Sequence, residues 1–416
     1  MNLKLNFIFR GLKNKNYRLF FIGQSISLTG TWMQQVALSW LVYNLTNSAL
    51  FLGVVGFSAQ IPSFLVAPFA GIIADRYSRH KALIITQILA LIQAAILAYL
   101  VLTNTIQIWH IVALSVFLGL INAFDAPIRQ SFTIDMLDNK DDLGNAIALN
   151  SAMFNSARLI GPSIAGILIA LFGEGVCFLI NAVSYIAVIY SLSLIKINHK
   201  TNNTAKTKVF TELKEGIKYA FNFRPIRLTL SILAMISLMG VSSQVLMPIF
   251  AKDIFKGGPQ TLGMLVSMAG VGALIGTFYL ASQRKLKNII RIIANTSTIF
   301  GIGLILFSFS SNFWFSNIVI LICGFGMMVQ MASCNTLLQS IVEDDKRGRV
   351  MSFYTMAFIG TIPFGSLLAG GLAHKIGAPF TIFITGLGCL ISAYFFTRTL
   401  PALHKEVLPI LNKKGL

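Results

Sequence analysis

Long runs of apolar residues alternate along the chain with short polar connections. We count about twelve such runs, each long enough for the roughly 20 residues that a helix needs to cross the hydrocarbon core of a membrane. Two of the predicted helices are Ile226 to Ala251 and Val350 to Ala373. The pattern predicts an all-α membrane protein with twelve transmembrane helices.

Composition supports this prediction. Of the 416 residues, 55% are hydrophobic and only 11% are charged, whereas about 25% of the residues of an ordinary globular chain are charged. The mean hydropathy is +0.75. A soluble protein of this size could not cover its surface with so few charged side chains.

The net charge of +19 would suggest a nucleic-acid partner in a soluble chain. Here Lys and Arg are concentrated in alternate connections, while the connections between them hold only Lys252, Lys256 and Lys375. Because short basic loops stay in the cytoplasm, we expect a multi-pass membrane protein with both termini cytoplasmic and no nucleic-acid partner. Met1 to Arg18 is basic and lacks a following cleavage site, so the first helix should remain in the mature protein.

One connection, Lys196 to Arg227, is long and polar, and its part Val209 to Phe223 has the periodicity of an amphipathic helix lying on the inner leaflet. The predicted division is 1–195 for an amino-terminal six-helix bundle, 196–225 for a cytoplasmic linker with this helix, 226–398 for a carboxy-terminal six-helix bundle and 399–416 for a cytoplasmic tail.

The two halves of the chain are related by a shift of about 204 positions. Under this shift Gly144, Phe154, Gly161, Ala165, Gly166, Leu168 and Gly173 match Gly348, Phe358, Gly365, Ala369, Gly370, Leu372 and Gly377. The halves are therefore predicted to be parallel repeats of one six-helix unit, which gives two pseudo-symmetric bundles.

The connection after the second apolar run contains Gly71, Asp75, Arg76 and Arg79 in the order Gly-x-x-x-Asp-Arg-x-x-Arg. This spacing resembles the loop signature of the major facilitator superfamily, with Ser78 where glycine is usual and His80 in place of a basic residue. The resemblance implies the major facilitator fold and a gating latch of ion pairs at this loop. Anchoring by positive charge alone accounts for the cations but not for the spacing of Gly71 and Asp75.

In the fifth predicted helix, Gly161, Pro162 and Gly166 resemble the end of a motif found in exporters of this superfamily. The resemblance implies an outward-directed antiporter. Close packing of small residues is the alternative explanation.

Arg158 lies near the middle of the same helix, where a charge costs roughly 2.5 to 3.5 kcal/mol on insertion scales. No carboxylate occurs at a similar depth in any predicted helix. The sequence therefore suggests a site for an anionic or acceptor-rich substrate, with hydrogen bonding to Asn155, Asn122 or backbone carbonyls as the structural alternative.

Asp125 and Arg129 flank Pro127 and share one face of the fourth predicted helix. We interpret Asp125 as a latch partner of Arg76 or Arg79, and alternatively as the carrier of a coupling proton. The acids of the following connection, Asp135, Asp138, Asp141 and Asp142, are predicted to form a solvated loop.

Five amides occupy predicted helices that line the central cavity of the resembling fold. They are Gln34, Gln35, Asn122, Gln244 and Gln330. These side chains could hydrogen-bond a polar substrate, or they could join helices to one another.

Several classes of protein are not supported by the sequence. The four cysteines, Cys177, Cys323, Cys334 and Cys389, lie in apolar runs without metal-site spacing, so neither a disulfide framework nor a zinc site is predicted. No nucleotide-binding lysine motif or nucleophile elbow appears. We therefore expect no enzyme activity, no cofactor and no bound metal.

Further runs resemble one subgroup of the superfamily, that of the bacterial enterobactin exporter and related efflux proteins. They are Gly30 to Gln35, Leu143 to Ser151 and Asn181 to Tyr185. The resemblance implies export of a siderophore or similar small molecule, driven by protons, across the bacterial inner (plasma) membrane. We expect the protein to be a monomer surrounded by membrane lipids. A macrolide or multidrug efflux pump is the first alternative, and a lipid flippase is the second.

Overall fold

The computed structural model describes residues 10–76, 78–137, 139–195, 219, 221–283, 288–343 and 346–414, without the side chains of residues 67–76 and 140. Within these ranges all regular structure is helical. Eleven of the described helices are long and apolar enough to cross a membrane, judged by length and composition. A further predicted span, Lys15–Thr46, has 32 residues but carries Gln24, Gln34 and Gln35 along its length.

Six helices come first along the chain. They are α1 (Lys15–Thr46), α2 (Ala49–Arg76), α3 (Arg79–Leu102), α4 (Ile108–Asp135), α5 (Leu143–Phe172) and α6 (Glu174–Ser193). A short 3-10 turn, Arg10–Lys13, precedes α1.

Six further spans and a terminal helix follow. They are α7 (Arg224–Ile254), α8 (Pro259–Ser282), α9 (Ile289–Ser308), α10 (Phe313–Ile341), α11 (Arg347–Ile376), α12 (Ala378–Arg398) and α13 (Leu400–Lys413). The terminal helix α13 occupies the segment predicted as a tail. The predicted amphipathic helix of the linker lies almost entirely outside the described residues.

The predicted repeat is visible in the turns of the structure. Gly173 joins α5 to α6 with a φ of 81°, and Gly377 joins α11 to α12 with a φ of 84°. This left-handed conformation strongly favours glycine, because other residues carry a Cβ that collides with the backbone. A left-handed glycine therefore joins the last two helices of each repeat, at positions 204 residues apart.

Two spans, α7 and α11, are not regular α-helices throughout. In α7, a π-helical segment, Ile236–Gly240, leads into a 3-10 segment, Val241–Leu246. In α11, Arg347–Phe358 and Ile362–Ile376 are separate helical pieces. Proline contributes to the second break, because Pro363 has no N–H to donate to the carbonyl of Ile359.

The described residues divide into two compact units. Unit 1 takes those within Met1–Asn47, Ser58–Ala205 and Gly257–Ser267, and unit 2 takes those within Ser48–Phe57, Lys206–Lys256 and Met268–Leu416. Each unit therefore holds most of one half of the sequence and the first turns of one helix from the other half, α8 in unit 1 and α2 in unit 2.

A large apolar core lies at the end of unit 1 where its odd-numbered helices begin. We call this the basic end of the unit, and use the same name for the end of unit 2 where α7, α9 and α11 begin. Side chains that are 2% exposed or less form the centre of the unit 1 core, among them Tyr17, Phe20, Leu83, Ile128 and Phe132.

Candidate transport site

The predicted latch loop is only partly described. Gly71, Asp75 and Arg76 fall in the last turns of α2, and their side chains lie outside the described residues. Arg79 begins α3, and its guanidinium lies 3.3 Å from a carboxylate oxygen of Asp135 at the end of α4. Arg79 therefore links the start of α3 to the end of α4 at the basic end of unit 1.

His80 takes the place of a basic residue in the loop signature. Its Nε2 lies 2.7 Å from the carbonyl oxygen of Leu192 near the end of α6, to which it donates a hydrogen bond in the Nε2–H tautomer. Its ring stacks on Phe132 with the ring centroids 5.7 Å apart. His80 therefore connects three helices of unit 1.

Asp125 is buried inside unit 1. Its Oδ1 accepts hydrogen bonds from Thr86 Oγ1 at 2.8 Å and from Gln87 Nε2 at 2.7 Å, and its Oδ2 lies 3.4 Å from Arg129 Nε. The structure pairs Asp125 with Arg129 and pairs Arg79 with Asp135, so the contact expected between Asp125 and Arg79 is not made.

Two of the five predicted substrate amides are buried against other helices. Gln34 donates to Gln93 Oε1 at 3.1 Å and accepts from Asn181 Nδ2 at 2.8 Å, and so joins α1 to α3 and α6. Gln330 is 1% exposed and contacts the sulfur of Cys334 at 3.5 Å. These contacts favour a helix-joining role for Gln34, whereas the contact of Gln330 lies within its own helix α10.

The other three amides are not covered by protein within the structure. Gln35, Asn122 and Gln244 are exposed, and Gln244 has a weak contact of 3.8 Å with the sulfur of Met327. Their donors and acceptors therefore remain accessible to a polar molecule.

Arg158 is half-buried in the middle of α5. Its guanidinium carbon lies 5.7 Å from the ring centre of Trp32 on α1, a cation–π contact. Asn155, the nearest predicted partner along the helix, donates instead to the carbonyl oxygen of Ser151 at 2.9 Å. Among the described residues, Arg158 has no hydrogen bond and no ion pair.

The exporter motif packs against two helices of unit 1. A Cβ on Gly161 would lie 2.9 Å from the carbonyl oxygen of Thr29 on α1, and a Cβ on Gly166 would lie 2.9 Å from the Cα of Gln260 on α8. A Cβ on Gly263 of α8 would in turn lie 2.4 Å from the carbonyl oxygen of Pro162. These backbones approach so closely because the crossing residues are small.

Sequence reasoning missed the partners of this motif on α8. Ser267 donates to the carbonyl oxygen of Leu159 at 2.9 Å, and its hydroxyl lies 2.7 Å from that of Ser163. Gly263 and Ser267 are four positions apart, which is the small-x-x-x-small spacing that favours close helix crossings. That spacing could have identified them.

A second missed feature is the clasp at the basic end of unit 1, where the turn before α1 binds the start of α5. Asp142 forms an ion pair with Arg10 and accepts a hydrogen bond from Asn14 Nδ2 at 3.1 Å. Asn145 accepts from the backbone N–H of Gly11 at 2.8 Å, and the Tyr17 hydroxyl donates to the carbonyl oxygen of Ala146 at 2.9 Å.

The clasp changes the interpretation of the acidic connection. The hydrogen bond from Asn14 and the nearby charge of Arg10 hold the pKa of the Asp142 carboxyl below its usual value. Asp142 is 9% exposed. The prediction of a solvated loop is therefore wrong for Asp142, which is held between α1 and α5.

Membrane-length helices in two repeated sets, with polar and charged side chains at mid-depth, define a multi-pass helical membrane transporter. The profile of the family described as "Transmembrane secretion effector" matches residues 8–412. The chain belongs to this family of major facilitator transporters, and the family resemblance read from the loop signature is confirmed.

Known relatives match nearly the full length of the chain. The "Staphyloferrin A transporter" of Staphylococcus aureus (strain NCTC 8325 / PS 47) is 30% identical over 91% of this chain and 95% of its own length. The "Multidrug efflux pump Tap" of Mycolicibacterium fortuitum is 23% identical over 87% and 90%. The "Macrolide efflux protein A" of Streptococcus pyogenes is 19% identical over 90% and 94%. Each of these relatives is a transporter rather than an enzyme.

Solved structures confirm the fold. A bacterial homologue of the human lysosomal transporter Spinster, in an inward-facing and unoccupied conformation, matches with a TM-score of 0.72 and 12% identity, over 95% of this chain and 98% of its own. A bacterial homologue of the iron transporter ferroportin matches with a TM-score of 0.67 and 16% identity, over 92% and 98%. The predicted major facilitator fold is therefore confirmed.

Proposed function

We propose that the chain is a proton-driven exporter of a siderophore or similar small molecule, working as a monomer by alternating access in the bacterial inner membrane with both termini cytoplasmic. The observation that carries this proposal is Arg158, a cation in the middle of a membrane-length helix with no hydrogen-bond acceptor among the described residues. Kinship with a transporter named for a siderophore supports the same substrate class.

Export as the direction of transport is supported by the motif in α5. Gly161, Pro162 and Gly166 resemble the exporter motif, and the structure packs them tightly against α1 and α8. Two relatives are themselves named as efflux proteins. Gln35, Asn122 and Gln244 are the amides that remain accessible for hydrogen bonding to the substrate.

Asp125 is the proposed carrier of the coupling proton. It is a buried carboxylate whose charge is balanced by one neighbour, Arg129, whose side chain is 28% exposed. Its two hydrogen bonds come from the neutral side chains of Thr86 and Gln87, so Arg129 is the one cation paired with it among the described residues. The loop residues Gly71, Asp75, Arg76 and Arg79 are proposed to latch one of the two states.

Everted membrane vesicles test direction and coupling together. Vesicles containing the chain are incubated with an extract of iron-starved culture medium, and accumulated compounds are identified by mass spectrometry. We expect accumulation of a siderophore that is abolished when nigericin collapses the pH gradient. We also expect it to be abolished in Asp125→Asn and to persist in Asp141→Asn, which alters an exposed acid outside the spans.

Other outcomes would contradict the proposal. Accumulation that resists nigericin would exclude proton coupling, and accumulation only in right-side-out vesicles would exclude export. The relatives named for macrolide and multidrug efflux supply the second candidate function. Macrolide accumulation in the same vesicles, without any siderophore, would replace the proposed substrate.

A further inference from the structure

Arg158 is placed where an unpaired charge is costly. It lies about halfway along α5, a 30-residue helix of membrane-spanning length, and it is half-buried by its neighbours. Charged side chains at this depth face a cavity or a partner, because hydrocarbon cannot solvate them.

Trp32 holds the Arg158 side chain from one side. The Trp32 ring packs against the apolar cluster of Leu28, Met153 and Ala157, and the ring of Phe154 meets it edge-on with the centroids 5.7 Å apart. The contact between Arg158 and Trp32 is a cation–π contact, which uses the charge of the guanidinium and none of its N–H groups. Its five N–H donors are left for another group.

The protein does not supply that group among the described residues. Arg158 forms no hydrogen bond or ion pair there, and the neighbouring Asn155 is bonded to its own helix. The buried acid of unit 1, Asp125, is occupied by Thr86, Gln87 and Arg129. An acceptor must therefore come from outside the described protein.

The internal repeat shows that the fold does not need a cation here. Gly161 of α5 and its repeat counterpart Gly365 of α11 make equivalent crossings, onto the backbone of α1 at Thr29 and of α7 at Leu238. The position of Arg158 corresponds to Ile362, 204 residues later. The second unit builds the same crossing with an aliphatic side chain, so the charge is an addition in unit 1.

We propose that Trp32 and Arg158 form a subsite for a carboxylate of the transported molecule. The carboxylate accepts hydrogen bonds from two N–H groups of the guanidinium, and Phe154 and Trp32 contact the adjoining carbon chain. This inference rests on the proposed function and adds the chemical group that is recognised. A single unpaired cation matches a monoanion, whereas a doubly charged phosphate would carry an uncompensated charge into the membrane. The flat, forked guanidinium also fits the planar carboxylate.

Binding to the purified full-length chain in detergent tests this subsite without transport. The probe is monomethyl glutarate, a singly charged carboxylate with a short carbon chain, and dimethyl glutarate is the neutral comparison, with affinities measured by titration calorimetry. We expect saturable binding of the acid and none of the ester. Arg158→Gln should weaken binding at least tenfold, and Arg158→Lys should also weaken it because lysine lacks the fork.

Arg398→Gln is the matched control. Arg398 also stacks on an aromatic ring, that of Tyr394 at 5.1 Å, but it lies at the end of α12 in unit 2. Its loss should leave the binding of monomethyl glutarate unchanged. Size-exclusion profiles and unfolding temperatures of all variants check that the chain remains folded.

Trp32 is the positioning residue of the subsite. Trp32→Leu should weaken binding of the acid about two- to thirtyfold, the range of a cation–π contact, and Trp32→Phe should weaken it less because a ring is retained. A purely structural role would not alter the preference for acid over ester.

Three results would overturn the inference. They are equal binding of acid and ester, undiminished binding in a folded Arg158→Gln variant, and binding of methylphosphonate that is tighter than that of monomethyl glutarate. The proposed function fails separately: loss of proton-driven export with carboxylate binding intact would reject the transport proposal alone. Export of a siderophore without dependence on Arg158 would reject this subsite alone.

Discussion

Gln34 and Gln35 are adjacent residues with opposite surroundings. Gln34 bonds to Gln93 and Asn181, whereas Gln35 is exposed. We expect Gln34→Leu to lower the unfolding temperature in detergent, because it removes one hydrogen bond from each of two buried amides, Gln93 and Asn181, and each such bond between helices contributes about 0.6 to 2 kcal/mol. Gln35→Leu is the control and should leave that temperature unchanged; equal losses would contradict the assignment of Gln34 as a helix-joining residue.

Asp142 makes the stability of unit 1 depend on pH. Its pKa is lowered in the folded chain, so its contribution is present above the ordinary carboxyl pKa of about 3.9 and is lost as the pH falls through the lowered value. Asp142→Asn should therefore reduce the unfolding temperature at pH 7, and its difference from the original chain should shrink on acidification. Asp141→Asn should show neither effect, because that side chain is exposed.

The sequence predicts the surroundings of a residue where they depend only on its depth in the membrane. The isolation of Arg158 was predictable, because no acid occurs at its level in any apolar run. The capture of Asp142 was not, since its partner Arg10 is 132 positions away and hydropathy says nothing about which loops meet. Nor could the sequence predict which of the five amides are buried and which are accessible, because all five lie in similar apolar runs.

The crossing of α7 and α11 depends on one glycine. A Cβ on Gly365 would lie 2.1 Å from the carbonyl oxygen of Leu238, so Gly365→Ala should force the helices apart and destabilise unit 2 by about 1 to 3 kcal/mol. Gly371→Ala, in the same helix with no atom within 4 Å of the new Cβ, should be neutral or stabilising. Denaturation of both variants in mixed micelles provides the comparison, and equal effects would reject the close crossing.

Breaks in α7 and α11 are stabilised by hydroxyl groups that sequence patterns do not reveal. Ser237 donates to the carbonyl oxygen of Phe358 at 2.5 Å, and Ser242 donates to that of Ile362 at 3.2 Å. The carbonyl of Phe358, at the end of the first piece of α11, thus finds a partner on α7, as buried backbone in a membrane requires. Apolar runs predict how many helices there are, but not where a neighbouring helix allows one to unwind.

The terminal helix α13 shows a pattern that the sequence did contain. Leu403, Val407 and Leu411 recur at intervals of four and form its buried face. This is the periodicity of an amphipathic helix, and it predicts a docked segment rather than a tail.

At the scale of the whole molecule, each unit is fastened at its basic end by a terminal segment of the chain. Unit 1 has the turn Arg10–Lys13, which binds the start of α5. Unit 2 has α13, which contacts α7, α9, α10 and α12. Beyond α13, the Lys414 ammonium donates to the carbonyl oxygen of Ser340 at 2.9 Å, near the end of α10 where free carbonyls and the helix dipole favour a cation.

Removal of residues 400–416 should therefore loosen unit 2 and leave unit 1 unchanged. The truncation uncovers the surface beneath Leu403, Val407 and Leu411, side chains that each contribute about 1.5 to 3 kcal/mol when fully buried. Hydrogen exchange with mass spectrometry should show faster exchange at the end of α10 and the start of α7, with no change at the start of α5. Lys405→Gln, on the exposed face of α13, is the control and should preserve protection throughout. Equal loss of protection in both units would mean that α13 stabilises the molecule as a whole instead of one unit.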